Sequence, residues 1–176
     1  MTMKRTKTKN KHSGLRWLLI PGSAVLLAAF LSFYILILAF VPSGSMEQTI
    51  PAGSLILGSR LSYRNDTPQR GDIIFFRHPE CGSSLLVKRV IAVEGDTVSL
   101  ENGVVFVNGE AISEDYATKD SSNFSEITVP AGKLLVLGDN RKESNDSRFW
   151  EDPFVDIEDV AGKATYILYP RLGELS

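Results

Sequence analysis

Between Trp17 and Val41 the sequence carries no charged residue. As a helix with a rise of 1.5 Å per residue, a run of about 25 residues reaches roughly 37 Å, more than the ~30 Å hydrocarbon core of a bilayer. Residues 17–41 are therefore expected to form one tilted transmembrane anchor. The flanking charges orient it. Lys4, Arg5, Lys7, Lys9, Lys11 and Arg16 precede it in a basic tail of residues 1–16, while all 21 Asp and Glu follow it. This excess of Lys and Arg on one side predicts a single-pass protein of the plasma membrane, with a cytoplasmic N-terminus and everything after Pro42 outside. A removable secretory signal looks similar, but its apolar region usually runs only about 7–15 residues and ends in a small-x-small pattern. Here the exit reads Ala39-Phe40-Val41-Pro42, so the anchor is expected to remain. Beside such a span the basic tail is read as a topology signal in contact with anionic lipid, not as a nucleic-acid patch.

Residues 42–176 are enough for one compact domain with its own core. Short runs rich in branched and aromatic residues predict strands at Leu55–Gly58, Asp72–Arg77, Leu85–Val93, Thr97–Leu100, Val104–Val107, Lys133–Leu137 and Lys163–Tyr169. Pro68-Gln69-Arg70-Gly71 and Glu94-Gly95-Asp96 separate some of them, and Asn102-Gly103 and Asn108-Gly109 are strong hairpin dipeptides. The polar stretch around residues 111–128 is expected to be a surface excursion. A mainly β domain of antiparallel sheets follows. One cysteine, Cys81, cannot form an internal disulfide and is expected to be an inert or exposed thiol. His12 and His78 lie far apart without Cys or acidic clusters, so no metal and no cofactor is expected.

Lys88 stands in the apolar run Leu85-Leu86-Val87-Lys88-Arg89-Val90-Ile91. In a strand Leu86, Lys88 and Val90 share one face, giving the lysine apolar neighbours. A desolvated lysine whose pKa falls by roughly two units, about 2.7 kcal/mol, holds a useful neutral fraction near neutral pH. A neutral amine can take the proton of a serine hydroxyl, and Ser43 and Ser45 sit in the turn just after the apolar run. Two plain readings stand beside this one. Lys88 also fits an edge-strand charge reaching water, and Ser43-Gly44-Ser45 also fits ordinary loop.

The order of several motifs decides between them. Pro42-Ser43-Gly44-Ser45-Met46-Glu47-Gln48-Thr49-Ile50 comes first, followed by Gly71-Asp72-Ile73-Ile74-Phe75-Phe76 and then Lys88-Arg89-Val90-Ile91-Ala92-Val93-Glu94-Gly95-Asp96. Gly138-Asp139-Asn140-Arg141-Lys142-Glu143-Ser144-Asn145-Asp146-Ser147-Arg148 and the closing Val160-Ala161-Gly162-Lys163-Ala164 complete the set. From the anchor almost to its end, the chain resembles the bacterial type I signal peptidases, in the short single-span form of Gram-positive organisms.

The resemblance implies a β domain like that of the SOS-repressor proteases, tethered by one helix, that removes signal peptides from exported preproteins. It makes Ser45 the nucleophile, Lys88 the general base, Ser43 and the Ser45 N–H the oxyanion hole, and Ser144 the residue that orients the lysine. Asp139, Arg141, Asp146 and Arg148 match charged positions that frame the site. Val41, Pro42, Met46, Ile50, Leu86 and Val87 fall at or beside positions that line the substrate groove, suited to the small residues of A-x-A cleavage sites. The implied partners are signal-bearing preproteins and the lipid bilayer, without nucleic acid or metal. Two departures stand out: Gln48 replaces the usual proline after the nucleophile, and Asn145 is larger than some relatives carry. A catalytically specialised relative serving surface-protein assembly, which should lack Ser45 or Lys88, and a self-cleaving Ser-Lys protease, which should carry a DNA-binding domain, are the alternatives.

Overall fold

The computed structural model describes residues 13–175, so the basic residues from Lys4 to Lys11, with His12, lie outside the described residues. Helix α1 covers Ser13–Ile35. Strands β1 Leu36–Val41, β2 Ser54–Ser59, β3 Ile73–Phe76, β4 Leu86–Val93, β5 Thr97–Glu101 and β6 Val104–Val107 follow. Then come β7 Glu110–Ala111, β8 Phe124–Thr128, β9 Lys133–Leu137, β10 Val155–Asp156, β11 Val160–Tyr169 and β12 Gly173–Glu174, with single 3₁₀ turns at Pro79–Cys81 and Ile157–Asp159. The chain divides into two compact units, residues 1–35 and 36–176.

In the first unit, Leu19, Ile20, Val25, Leu26, Leu27, Phe30, Phe33 and Tyr34 are all exposed, so the helix turns apolar side chains outward around its circumference. Among the described residues no helix is long and apolar enough to cross a membrane. The uncharged run does not continue as one element to Val41, as the sequence suggests. It becomes a strand at Leu36, because in Leu36–Val41 alternate residues Ile37 and Val41 turn into the core and the backbone pairs along the whole length of β2, from Leu36 opposite Ser59 to Val41 opposite Ser54.

The second unit is built from two antiparallel sheets. The larger runs β1-β2-β11-β3-β4-β9-β10, with β12 added to β11; the smaller runs β7-β6-β5-β8. Both hairpins of the smaller sheet turn where the Asn-Gly pairs predict. Asn102 and Gly103 have φ of 51° and 79°, Asn108 and Gly109 of 54° and 80°, the conformation that a two-residue turn between twisted strands demands. Strand β8 lies inside the stretch read as a polar excursion. Phe124 and Ile127 pack there against Val98, Leu100 and Val107, so part of that stretch is wall and not surface.

Strand β4 is an interior strand of the larger sheet, between β3 and β9, with Lys88 opposite Ile74 and Arg89 opposite both Ile73 and Leu137. Its residues from Lys88 to Ala92 are all buried. The edge-strand reading of Lys88 is thereby excluded, since both of its flanks are occupied by strands.

Candidate active site

Strand β1 ends at Val41 and delivers the chain into a compact turn. The Glu47 N–H donates to the Gly44 carbonyl at 3.1 Å and the Thr49 N–H to that of Met46 at 2.9 Å, while the Gly53 N–H closes the turn onto the Val41 carbonyl at 2.8 Å. Met46 and Ile50, two of the residues expected against substrate, are instead fully buried among Ile37, Val41, Ile56 and Phe75. Their apolar side chains root the turn in the core, which helps to hold the adjoining Ser45 in place.

The 138–148 loop after β9 grips the same turn from the other side. The Asn140 N–H donates to the Ser45 carbonyl at 3.0 Å, the Asn140 side-chain amide to the Gly44 carbonyl at 2.9 Å, and the Asp139 N–H to Met46 Sδ at 3.4 Å. Ser45 is buried, whereas Ser43 and Gln48 are exposed. A proline at position 48 would be missed little, because the bonds to Asn140 and the two buried apolar side chains already fix the turn.

Ser45 and Lys88 come together on one cavity of about 250 Å³. Val41, Pro42, Ser43 and Ser45 form one wall, and Ser84, Leu86, Val87 and Lys88 the other. Lys88 is 4% exposed and takes part in none of the ion pairs among the described residues. Burial is the main force on its amine and brings its pKa down to about 8. Asp146, Cys81 and Asp139 push the other way, and Arg148 adds to the lowering.

Ser144 is buried, and its hydroxyl has no hydrogen-bond partner among the described residues. It faces Ser45 across the Gly138 α-carbon, because a side chain at Gly138 would collide with Ser144 Oγ and the Ser45 carbonyl at once. Only a glycine lets the three strands of chain meet there.

Asp139, Arg141, Asp146 and Arg148 are all paired. Asp139 takes both Arg89 Nε at 3.0 Å and Arg89 Nη2 at 2.9 Å; Asp146 takes Arg148 Nε at 2.8 Å and the Gly138 N–H at 2.9 Å. Arg141 donates to the Gly138 carbonyl at 3.0 Å and pairs with Glu114, and Arg148 also pairs with Asp120 at 2.6 Å. Arg148 is pulled down by burial, but Asp146 and Asp120 outweigh that and hold it above the usual arginine range.

Sequence reasoning did not single out Arg89, Glu114, Tyr116, Thr118 or Asp120. No local signal pointed to them: the loop motif holds as many aspartates, Asp139 and Asp146, as arginines, Arg141 and Arg148, so nothing in it called for partners from elsewhere. Cys81 is half-buried and close enough to Lys88 to bear on its charge. His78 is buried and stacks on Trp150 at 4.1 Å and 18°.

The sequence model of the signal peptidase family, peptidase S26, matches residues 14–169. The probable signal peptidase I-1 of Synechocystis sp. is 36% identical over 162 residues, covering 86% of this chain and 82% of that protein. Signal peptidase I P of Bacillus subtilis subsp. natto is 33% identical over 178 residues, covering 92% of each. Among solved structures, a signal peptidase I from Enterococcus faecalis V583 matches with 34% identity and a TM-score of 0.49 over 56% of this chain and 97% of that one.

Proposed function

The chain belongs to the signal peptidase family, peptidase S26, and is a signal peptidase; on that premise we propose that it cuts signal peptides from exported preproteins with Ser45 as nucleophile and Lys88 as general base. One observation carries this reading: the two side chains line the same cavity, and the lysine is buried among apolar residues without an ion-pair partner among the described residues. A lysine so placed is neutral in a large fraction of molecules near pH 8. It can accept the Ser45 proton as Oγ attacks the scissile carbonyl, then return it to the departing amine. A water deprotonated by the same amine hydrolyses the acyl-enzyme.

The negative charge that develops on the carbonyl oxygen would be met by the Ser45 N–H and the Ser43 hydroxyl. Each such donor typically contributes about 2.7–4 kcal/mol to the transition state. Ser43 is exposed before substrate arrives, free to turn toward that oxygen. Ser144, whose hydroxyl has no hydrogen-bond partner among the described residues, would bond the amine and fix its direction. Val41, Leu86 and Val87 line the cavity and give it shallow apolar walls, which suits small residues before the cut. Met46 and Ile50 belong to the foundation of the site in this reading.

Membrane attachment is part of the same proposal. Its supports are the uncharged run from Trp17, the basic residues before it and the exposed apolar side chains of α1. The N-terminus would be cytoplasmic and the β domain outside, holding Ser45 close to the bilayer surface where a preprotein presents its cleavage site.

The test is cleavage of a signal-bearing precursor by the full chain in lipid. Ser45→Ala and Lys88→Ala should each abolish cutting while the domain stays folded, and the double variant should be no worse than either. Substantial activity in either folded single variant would sink the assignment. Lys88→Arg should fail too, because a guanidinium does not lose its proton.

A further inference from the structure

The segment between β7 and β8 crosses the 138–148 loop and touches every arginine around it. Tyr116 lies under the Arg89 guanidinium, 4.0 Å from ring centroid to Cζ, Glu114 pairs with Arg141, and Asp120 pairs with Arg148. The backbone joins in. The Thr118 N–H donates to the Asp139 carbonyl at 2.8 Å, and the Arg141 N–H to Thr118 Oγ1, also at 2.8 Å. Thus residues 114–120 form a strap bonded to the loop that carries Ser144.

The smaller sheet is the strap's platform. The Ile112 N–H donates to the Val105 carbonyl at 3.0 Å, and the Gly103 N–H to the Ser122 carbonyl at 2.9 Å. Gly103 itself packs so tightly on Asp120 that any side chain would run into the Asp120 carbonyl. Asp120 is therefore placed by the β5–β6 hairpin, not by chance contact.

The strap also alters the charge balance around the amine. Arg89 from β4 and Arg141 and Arg148 from the loop are buried side chains around two buried loop carboxylates, Asp139 and Asp146, so this cluster by itself has one more cation than anions. Glu114 and Asp120 reverse the sign. The titratable groups acting on Lys88 are Asp146, Asp139 and Arg148 from the loop and Cys81 from the 3₁₀ turn after β3. Arg148 is the one among them that the strap neutralises directly.

We propose that the strap is a positioning element whose carboxylates, Asp120 foremost, hold the 138–148 loop and set the charge facing Lys88, and with it the fraction of enzyme whose lysine is neutral. This rests on the reading of Lys88 as the general base. Without the Asp120 charge, Arg148 keeps only Asp146 as counter-ion among the described residues, so its positive charge weighs more on Lys88 and disfavours the protonated amine.

The experiment uses the full chain, ¹³C-labelled at lysine, with the Lys88 resonance identified by its loss in Lys88→Ala. In Asp120→Asn the Lys88 titration midpoint should fall by roughly half a unit or more, and the rising limb of kcat/KM against pH should follow it. Asp120→Glu should restore both, and Glu114→Gln should move both in the same direction as Asp120→Asn. Lost folding alone would lower activity at every pH without moving the limb. A folded Asp120→Asn with an unmoved Lys88 midpoint overturns the proposal, and if that variant does not fold, Glu114→Gln decides by the same criterion. The two readings fail separately. A Lys88→Ala enzyme that still cuts removes the general base, whereas the resonance midpoint judges the strap whatever the activity.

Discussion

Arg89 and Asp139 meet in a two-pronged ion pair at 3.0 and 2.9 Å, with side chains 4% and 1% exposed. Arg89 follows Lys88 in β4, and Asp139 follows Gly138 in the loop that carries Ser144. The pair thus sets the register between the strand that holds the lysine and the loop that closes over it. The Thr49 hydroxyl also donates to Asp139, which ties the turn containing Ser45 to the same carboxylate.

Asp139→Ala removes the carboxylate that accepts from Arg89 Nε and Nη2, a loss of about 3–5 kcal/mol for buried pairs of this kind. Denaturant unfolding should show that loss, and cleavage should fall by more than the fraction unfolded because three segments lose their common anchor. Arg89→Met with Asp139→Leu should recover much of the stability and little of the activity. Full activity in that double variant would mean that the pair does not position the site.

Gly138 should tolerate no side chain. Alanine there collides with both Ser144 Oγ and the Ser45 carbonyl, so one of the two must move, and overpacking of this kind typically costs about 1–3 kcal/mol. Gly138→Ala should therefore lose most of its kcat while its near-UV circular dichroism stays native-like. An active Gly138→Ala enzyme would show that Ser144 and Ser45 need not face each other as they do.

These contacts mark where sequence reading ran out. Both Asn-Gly turns were legible because the dipeptide states its own backbone conformation, and strand β4 was legible because Val, Ile and Leu surround Lys88. Strand β1 was not. Leu36, Leu38 and Phe40 point outward and are apolar, so the polar alternation that marks a half-buried strand is missing and the segment reads as more anchor. The resemblance puts Met46 and Ile50 at or beside groove positions, yet a match of position does not say which way each side chain of a turn faces. The strap was hidden for another reason. Glu114 and Asp120 look like solvated charges until the fold brings Arg141 and Arg148 beneath them, and such long-range pairings leave no local periodicity.

A buried lysine that is useful to catalysis should weaken the fold. Its folded pKa, about 8, lies below the ordinary 10.5; between those values the unfolded chain binds the extra proton, so stability rises with pH across that window. Below pH 8 both states are protonated and the full cost of the buried charge remains. Lys88→Met should therefore abolish cleavage and stabilise the enzyme near pH 7 by up to about 3 kcal/mol, with a gain that shrinks as pH climbs toward 10.5. Thermal unfolding of both proteins from pH 6 to 10 measures it. A constant difference across that range would mean that Lys88 is not the group whose charge the fold resists.

The pH dependence of the rate gives the most direct view of the lysine. If only the neutral amine accepts the Ser45 proton, kcat/KM should rise with pH and level off above a midpoint near 8, the value to which burial lowers Lys88. Val90 shares the Lys88 face of β4 and is fully buried beside Ile74 and Val136. Replacing it with asparagine puts a dipole into that apolar wall and favours the charged amine, so the rising limb should shift to higher pH, and Val90→Thr should shift it less. The measurement is kcat/KM for a precursor peptide across pH 6–10 in the three proteins, each checked for folding. A limb centred well below pH 7, or one that ignores both substitutions, would show that some group other than Lys88 takes the proton.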